Sequence, residues 1–415
     1  MPVSRFLFLG VASSLISTTT LCLINPIAVY TPLISITQAA QTASALQLLI
    51  EQPVAPQPSP SPTQQSSETS SYGIPLDPDE FGTHGEQLST NGCYQLSGSV
   101  NFTGTVSPLV ITQSNVIVDL NGQMLSYAGP QCQVVSAITI SPGVTNVTIR
   151  NGTLVGFTGA AIAVNGSSTC PDGHITLDTI KIISCNSGIS LSYTDHVSIS
   201  NCTITGSTSS SSTVSGISAK NCSGVTIQHC TSQNNVSDKG SAYGYFFDTC
   251  KTVFLSQCAT SGNQGTTSTA GIHFKNVRRT SYIQNSSALS NSSTSGECYG
   301  IFLENSQNCY VQNSTSQGNI TDASDAYSYG ILLRGSSNNF IRHNAIDGNN
   351  YGIYDDEMAG LQTNIYTQNI AYQNSIADYL RPYSSPFNFI QIQQDYLQKM
   401  LLTGTLDNLS IRISS

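Results

Sequence analysis

The chain has 415 residues and sets 14 Lys and Arg against 23 Asp and Glu, a formal net charge of −9 with 9% of residues charged. Cations so few and so scattered do not build the basic face that displaces counterions from nucleic acid, so no nucleic-acid partner is expected. A hydrophobic content of 39% lies below the globular norm, while the low charge argues against a disordered polyelectrolyte; a β-rich fold with a neutral surface fits.

Arg5 is followed by an apolar, Ser/Thr-rich run from Phe6 to Ile24, and no charge returns before Glu51. Residues 1–45 therefore read as a signal peptide or, because 6–24 is just long enough to span a bilayer, as an uncleaved N-terminal anchor; the many Ser and Thr favour cleavage. An exported protein follows, periplasmic, cell-surface or secreted, meeting a membrane only through an uncleaved segment. Residues 46–72 carry Pro53, Pro56, Pro58, Pro60 and Pro62 among Ser and Gln, which makes an extended linker.

From 73 to 380 the chain repeats itself. A Gly followed by Ile or an aromatic residue recurs at Gly188, Gly216, Gly244, Gly271, Gly300, Gly330 and Gly352, in steps of 28, 28, 27, 29, 30 and 22 residues. A second apolar alternation stays in step with it, as in Val197-Ser198-Ile199, Val225-Thr226-Ile227, Val253-Phe254-Leu255, Ser281-Tyr282-Ile283, Tyr310-Val311, Phe340-Ile341 and Ile365-Tyr366. Upstream, Ala161 to Val164 and Ala137 to Ile140 extend the pattern. Such short strands, alternating with period 2 between Gly, Asn and Ser turns, exclude a helical solenoid. Each unit predicts one coil of a three-faced parallel β-helix, every strand pairing with its equivalent one coil away at about 4.8 Å. Coils of 22–30 residues, about nine of them, form a rod roughly 40 Å long whose inward Ile, Val, Leu and Phe share one core.

The Gly-Ile-x-Leu strands, Asn-Val-Thr-Ile-Arg-Asn-Gly at 146–152 and Val-Asp-Leu-Asn-Gly at 118–122 resemble the β-helix repeat proteins of the pectate-lyase-like superfamily. Similarity is greatest to its periplasmic NosD-like and carbohydrate-binding/sugar-hydrolase branch. The resemblance implies an all-β, right-handed single-stranded parallel β-helix over about 90–380. It leaves activity open, since the superfamily mixes lyases, hydrolases, epimerases, adhesins and non-enzymes. Residues 381–415 read as a C-terminal cap, helical over 389–402 where Phe389, Ile392, Tyr396, Leu397, Met400 and Leu401 recur at near-helical spacing, with a last strand within 406–413.

Stacking the coils turns spacing into columns. Four residues after successive glycines stand Lys220, Asp248, Lys275, Glu304, Arg334 and Asp356, whose signs alternate. That is either a register-fixing ladder, with about 0–1 kcal/mol per exposed pair, or part of a ligand face. Two residues after the glycines the outward column runs Ser190, Ser218, Phe246, His273, Phe302, Leu332 and Tyr354. Such an aromatic stripe either docks a ligand or lies beneath the long loops on that side. Cys202, Cys230 and Cys258, continued by Ser286, Ser314, Asn344 and Asn369, form an inward corner ladder, and Cys222 and Cys250 form a second pair. Free buried thiols are expected, because in-register parallel strands give poor disulfide geometry. No local Cys/His cluster points to zinc, so no metal ligand is assigned.

Asp355-Asp356-Glu357 is the densest acidic cluster, and Asp355 with Asp356 is the catalytic candidate for glycoside cleavage or for a Ca²⁺-assisted lyase. The polygalacturonase companions of such a pair, the pectate-lyase signatures and the epimerase Asp-Pro-His motif are all missing from the sequence. Gly296-Glu297-Cys298-Tyr299-Gly300 fits a nucleophile-elbow pattern but leads into a strand rather than a helix, so it is set aside. His229 and His343 share a turn column and read as structural. Three readings stand: a monomer binding a polysaccharide through Phe246, His273, Phe302, Glu304, Arg334 and Tyr354; a lyase or glycoside hydrolase; or an adhesin or rod that meets a surface protein. No cofactor is expected, apart from Ca²⁺ if the chain is a lyase.

Overall fold

The structure, a computed structural model, describes residues 73–81, 84–356, 364–381 and 411–413. They form a right-handed, all-parallel β-solenoid with almost no helix beyond the single turn Pro78–Phe81. The signal or anchor (1–45), the linker (46–72), Glu357 and the helical cap at 389–402 lie outside the described residues. Among the described residues no helix is long and apolar enough to cross a membrane.

The repeat glycines open the strands of a 13-stranded sheet, here called the glycine face. Its register joins Ile162, Ile189, Ile217, Tyr245, Ile272, Ile301, Ile331 and Ile353 into one inward column, and every member is fully buried. The glycines are required because the backbone presses against inward side chains of the opposite wall. A Cβ on Gly300 would sit 1.7 Å from Ser316 Oγ, and one on Gly244 would sit 1.9 Å from Thr260 Oγ1. The solenoid also begins earlier than the Gly-Ile signal, with Ile74–Leu76 pairing with Tyr94–Leu96 and Glu86–Leu88 with Leu109–Ile111. These coils lack the glycine and keep only the inward alternation. At the other end Tyr379 to Arg381 pair with Ile411–Ile413, the expected last strand.

The second and third faces belong to a 21-stranded sheet, and a short five-stranded sheet completes the later coils. Between second and third faces the chain turns at a column of left-handed residues, Asn151, Thr179, Asn201, His229, Gln257, Asn285, Asn313, His343 and Gln368, with φ of 49–61°. This gives His229 and His343 a backbone role. Just after that corner the expected ladder is complete: the Cys258 amide donates to Ser286 Oγ (3.2 Å), Ser286 to Ser314 Oγ (3.2 Å), Ser314 to Asn344 Oδ1 (2.9 Å) and Asn344 to Asn369 Oδ1 (3.2 Å). All eleven described cysteines are free, eight of them buried. A further amide ladder, from Asn235 through Asn263, Asn291, Asn319 and Asn349 to Asn374, joins the third and short faces at 2.6–3.1 Å per step.

Candidate functional site

The outer side of the glycine face carries a second apolar cluster, separate from the solenoid core: Ala270, Tyr299, Phe302, Tyr329 and Leu332, with Tyr243, Tyr351 and Tyr354 packed partly buried against it. It is built from two columns. The outward position two residues after each glycine supplies Phe246, His273, Phe302, Leu332 and Tyr354, and the position just before it supplies Tyr243, Ala270, Tyr299, Tyr329 and Tyr351. Their rings stack between columns, as in Tyr299–Phe302 (4.3 Å) and Tyr243–Phe246 (4.8 Å), and along the rod, as in His273–Phe302 (4.5 Å) and Tyr329–Tyr351 (5.4 Å). The expected outward stripe is therefore present, but its middle is closed over. His273 and Phe302 keep only 4% of their surface exposed and Leu332 none, whereas Phe246, Tyr243, Tyr351 and Tyr354 are half-buried at its two ends.

Charged groups edge this seam. His273 Nε2 lies 3.1 Å from Glu304 Oε2, which Lys275 Nζ approaches at 3.4 Å. The His273 contact, seconded by Lys275, holds the Glu304 carboxyl below its usual range, while burial pulls the His273 imidazole down. One imidazole nitrogen, Nδ1, is buried without a hydrogen-bond partner. Arg334 turns away from Glu304. Both of its terminal nitrogens reach Glu297 at 3.1–3.2 Å, its Nε stands 3.6 Å from Asp356 Oδ2, and its guanidinium lies 5.6 Å from the Phe302 ring centre. Glu297 also accepts the hydroxyls of Tyr299 and of Tyr329 (3.1 Å). Burial first, and this carboxylate second, push both phenols well above their normal range.

Alternating charge is thus real, but it resolves into separate clusters rather than one continuous ladder. The structure brings Phe246, His273, Phe302, Glu304, Arg334 and Tyr354 onto one surface and parts the two catalytic candidates. Asp356 points outward to Arg334. Asp355 follows Leu333 in the inward column and is fully buried. It accepts the Tyr366 hydroxyl (2.6 Å) and the Asn364 amide (3.2 Å), so it caps the core and does not face a ligand on the outer side. Sequence reasoning met Glu297 only in the motif it set aside, since the residue lies in a loop outside any column, and it missed the column of tyrosines before the glycines, whose spacing was there to be read. Among the described residues no group of three or more His, Cys, Asp or Glu could hold a metal ion.

The family model described as "Periplasmic copper-binding protein (NosD)" matches residues 171–385. No curated protein matches the sequence. Among solved structures, a variant of the periplasmic alginate epimerase AlgG is similar over 72% of this chain and 74% of its own, at 11% identity and a TM-score of 0.52. The A-module of an Azotobacter vinelandii mannuronan C-5 epimerase is similar over 75% and 98% respectively, at 13% identity and a TM-score of 0.44. A tailspike of the Acinetobacter baumannii bacteriophage Fri1, a capsular polysaccharide depolymerase, is similar over 77% and 66%, at 13% identity and a TM-score of 0.35. At such identities the likeness concerns the fold.

Proposed function

This chain belongs to the NosD family, and from that premise we propose that it is an exported β-helix protein binding an extended polysaccharide along the outer side of its glycine face. One observation carries the reading. The solenoid core is complete without the outer aromatic seam, yet four coils contribute tyrosines to it and a carboxylate–guanidinium pair, itself half-buried and bonded to two buried phenols, orders its middle. Half-buried rings at both ends, with Glu304, Arg334, Lys275 and Asp356 along the edge, offer apolar contact and fixed hydrogen-bonding groups together, the combination a sugar polymer requires. The family's description is periplasmic, which agrees with export. The alginate epimerase of similar fold acts, by its name, on a polysaccharide.

That description also names copper. The described residues do not fit it: the buried cysteines line the solenoid interior, and His174 and His196 stack at 4.9 Å with an 11° interplanar angle, so their nitrogens lie in parallel planes and do not converge. No step through copper is derived. Nor does an acid–base pair at Asp355 and Asp356 support a hydrolase or lyase, since only Asp356 reaches the outer side.

The test is retention of the purified full chain on an array of polyuronates and envelope glycans, with and without Ca²⁺. Specific retention that falls about tenfold in Arg334→Gln and Tyr354→Ala variants of unchanged circular dichroism supports the site. Absence of retention across the array removes the reading and turns the search to protein partners.

A further inference from the structure

The second face carries an outward aromatic ladder of its own. Phe254, Tyr282, Tyr310 and Phe340 are register partners on four successive coils. Tyr282 and Tyr310 stack at 4.9 Å and 22°, Tyr310 and Phe340 at 4.7 Å and 4°. Beside it runs an amide ladder: Gln284 donates to Ser256 Oγ (3.2 Å), Gln312 to Gln284 Oε1 (2.9 Å), and Arg342 to Gln312 Oε1 (2.7 Å). On its other side stand Lys251 and Arg278, paired across adjacent coils, with Arg279 next in the chain; all three are exposed.

Two features set this strip apart. On the glycine face, neighbouring coils alternate in charge. Here like charges sit side by side, an arrangement that costs stability unless an anion relieves it. Lys251, Arg278 and Arg279 make no ion pair or side-chain hydrogen bond among the described residues. Asp248, three residues before Lys251, belongs to the glycine-face column and is held by Thr249 and Asn276. Asp195 stands two coils below Lys251. Three of the protein's 14 cations thus gather where, among the described residues, no acid pairs with them. The second feature is ring orientation. Stacked rings spend their negative faces on one another and present positive edges outward, and the Tyr282 and Tyr310 hydroxyls make no hydrogen bond among the described residues. A sugar stacking through its C–H groups needs open ring faces, whereas edges, phenol hydroxyls, amides and guanidinium groups all favour negative, oxygen-rich ligands.

We propose that this strip is a second binding surface, selective for an anionic glycan lying along the rod from Lys251, Arg278 and Arg279 across Tyr282 and Tyr310 toward Arg342. It rests on the glycan reading only for choosing a sugar polymer as occupant; the charges and rings are independent of the glycine face.

The experiment measures binding of the full chain to polygalacturonate, to its methyl-esterified form and to poly-glutamate, by calorimetry at low and high salt. Expected are binding of polygalacturonate that weakens with salt, little binding of the ester, and an affinity at least tenfold lower in the Lys251→Ala, Arg278→Ala, Arg279→Ala triple variant. Tyr282→Phe with Tyr310→Phe should weaken it further with no change in melting. Undiminished affinity in the triple variant, equal binding of the ester, or no binding of polygalacturonate overturns the proposal; poly-glutamate binding as well as polygalacturonate replaces the glycan by any polyanion. Loss in Arg334→Gln but not in the triple variant would leave the glycine-face reading standing and this one fallen.

Discussion

Asn374 delivers both its backbone amide (3.2 Å) and its side-chain amide (2.8 Å) to one oxygen of Asp378, a carboxylate with no exposed surface. Asp378 thereby ends the amide ladder that starts at Asn235, each amide donating to the next coil and accepting from the one before. A break in the middle strands buried groups on both sides. Asn291→Ala should therefore lower stability by about 1–3 kcal/mol, read as a lower urea midpoint. The exposed Asn285→Ala, at a left-handed corner outside the ladder, tests backbone preference alone; if it matches Asn291→Ala in cost, the ladder's hydrogen bonds are not the cause.

Gly300 makes the repeat a steric requirement. Its missing Cβ leaves room for Ser316 Oγ, which accepts from Asn319 (3.1 Å) and donates to the Gly330 carbonyl (2.7 Å). Gly300→Ala should cost about 1–3 kcal/mol through overpacking. Adding Ser316→Gly to it should recover part of the loss in the same melting measurement, and a double variant less stable than either single one would reject the clash as the reason.

The recurrence of Gly-Ile was legible because one steric rule acts once per coil, and the Cys/Ser/Asn corner because one backbone geometry repeats. The ladder from Asn235 was equally periodic, at steps of 28, 28, 28, 30 and 25 residues, but it was hidden among Asn and Ser of many other turns. Side-chain direction also followed from alternation: Phe302 and Glu304 do point outward. What alternation does not carry is cover. His273 and Phe302 are sealed by rings from a neighbouring column and by Glu297 and Arg334, and Glu297 arrives from a loop with no period. Asp355 misled for a related reason, since an acid beside another acid looks like a paired site until alternation places the two on opposite sides of the strand.

The buried thiols, the ladder cysteines Cys202, Cys230 and Cys258 at 0–2% exposure among them, make a chemical prediction. Burial in the apolar interior raises the Cys185 thiol to about 11 and the Cys309 thiol to about 12, while Cys132 and Cys170 are exposed. Iodoacetamide at pH 8 should modify Cys132 and Cys170 within minutes and leave Cys202, Cys230 and Cys258 untouched until guanidinium is added, as peptide mass spectrometry will report. Native-state labelling anywhere in that ladder would show that the interior opens far more readily than a continuous core allows.

Asp172 links the fold to pH. It is 1% exposed; one carboxylate oxygen accepts the Val144 amide (3.1 Å) and the other has no partner. Burial raises its pKa to about 6, against the pull of the Gly143 and Val144 amides. Unfolded, the group titrates near 4, so between about pH 4 and pH 6 the folded chain holds the proton more tightly than the unfolded one. The Asp172 contribution to stability is then fully present below pH 4, declines as pH rises through 6, and is flat above it. Asp172→Asn keeps the acceptor and removes the charge. The difference in melting temperature, variant minus wild type, should be near zero at pH 4 and positive at pH 7.5, equivalent to about 1–3 kcal/mol. Subtracting the wild type cancels other titrating groups, among them Glu304, whose lowered pKa acts in the opposite direction. A difference that does not change with pH would mean that Asp172 is hydrated in the folded state and that its burial is not what the pH profile reports.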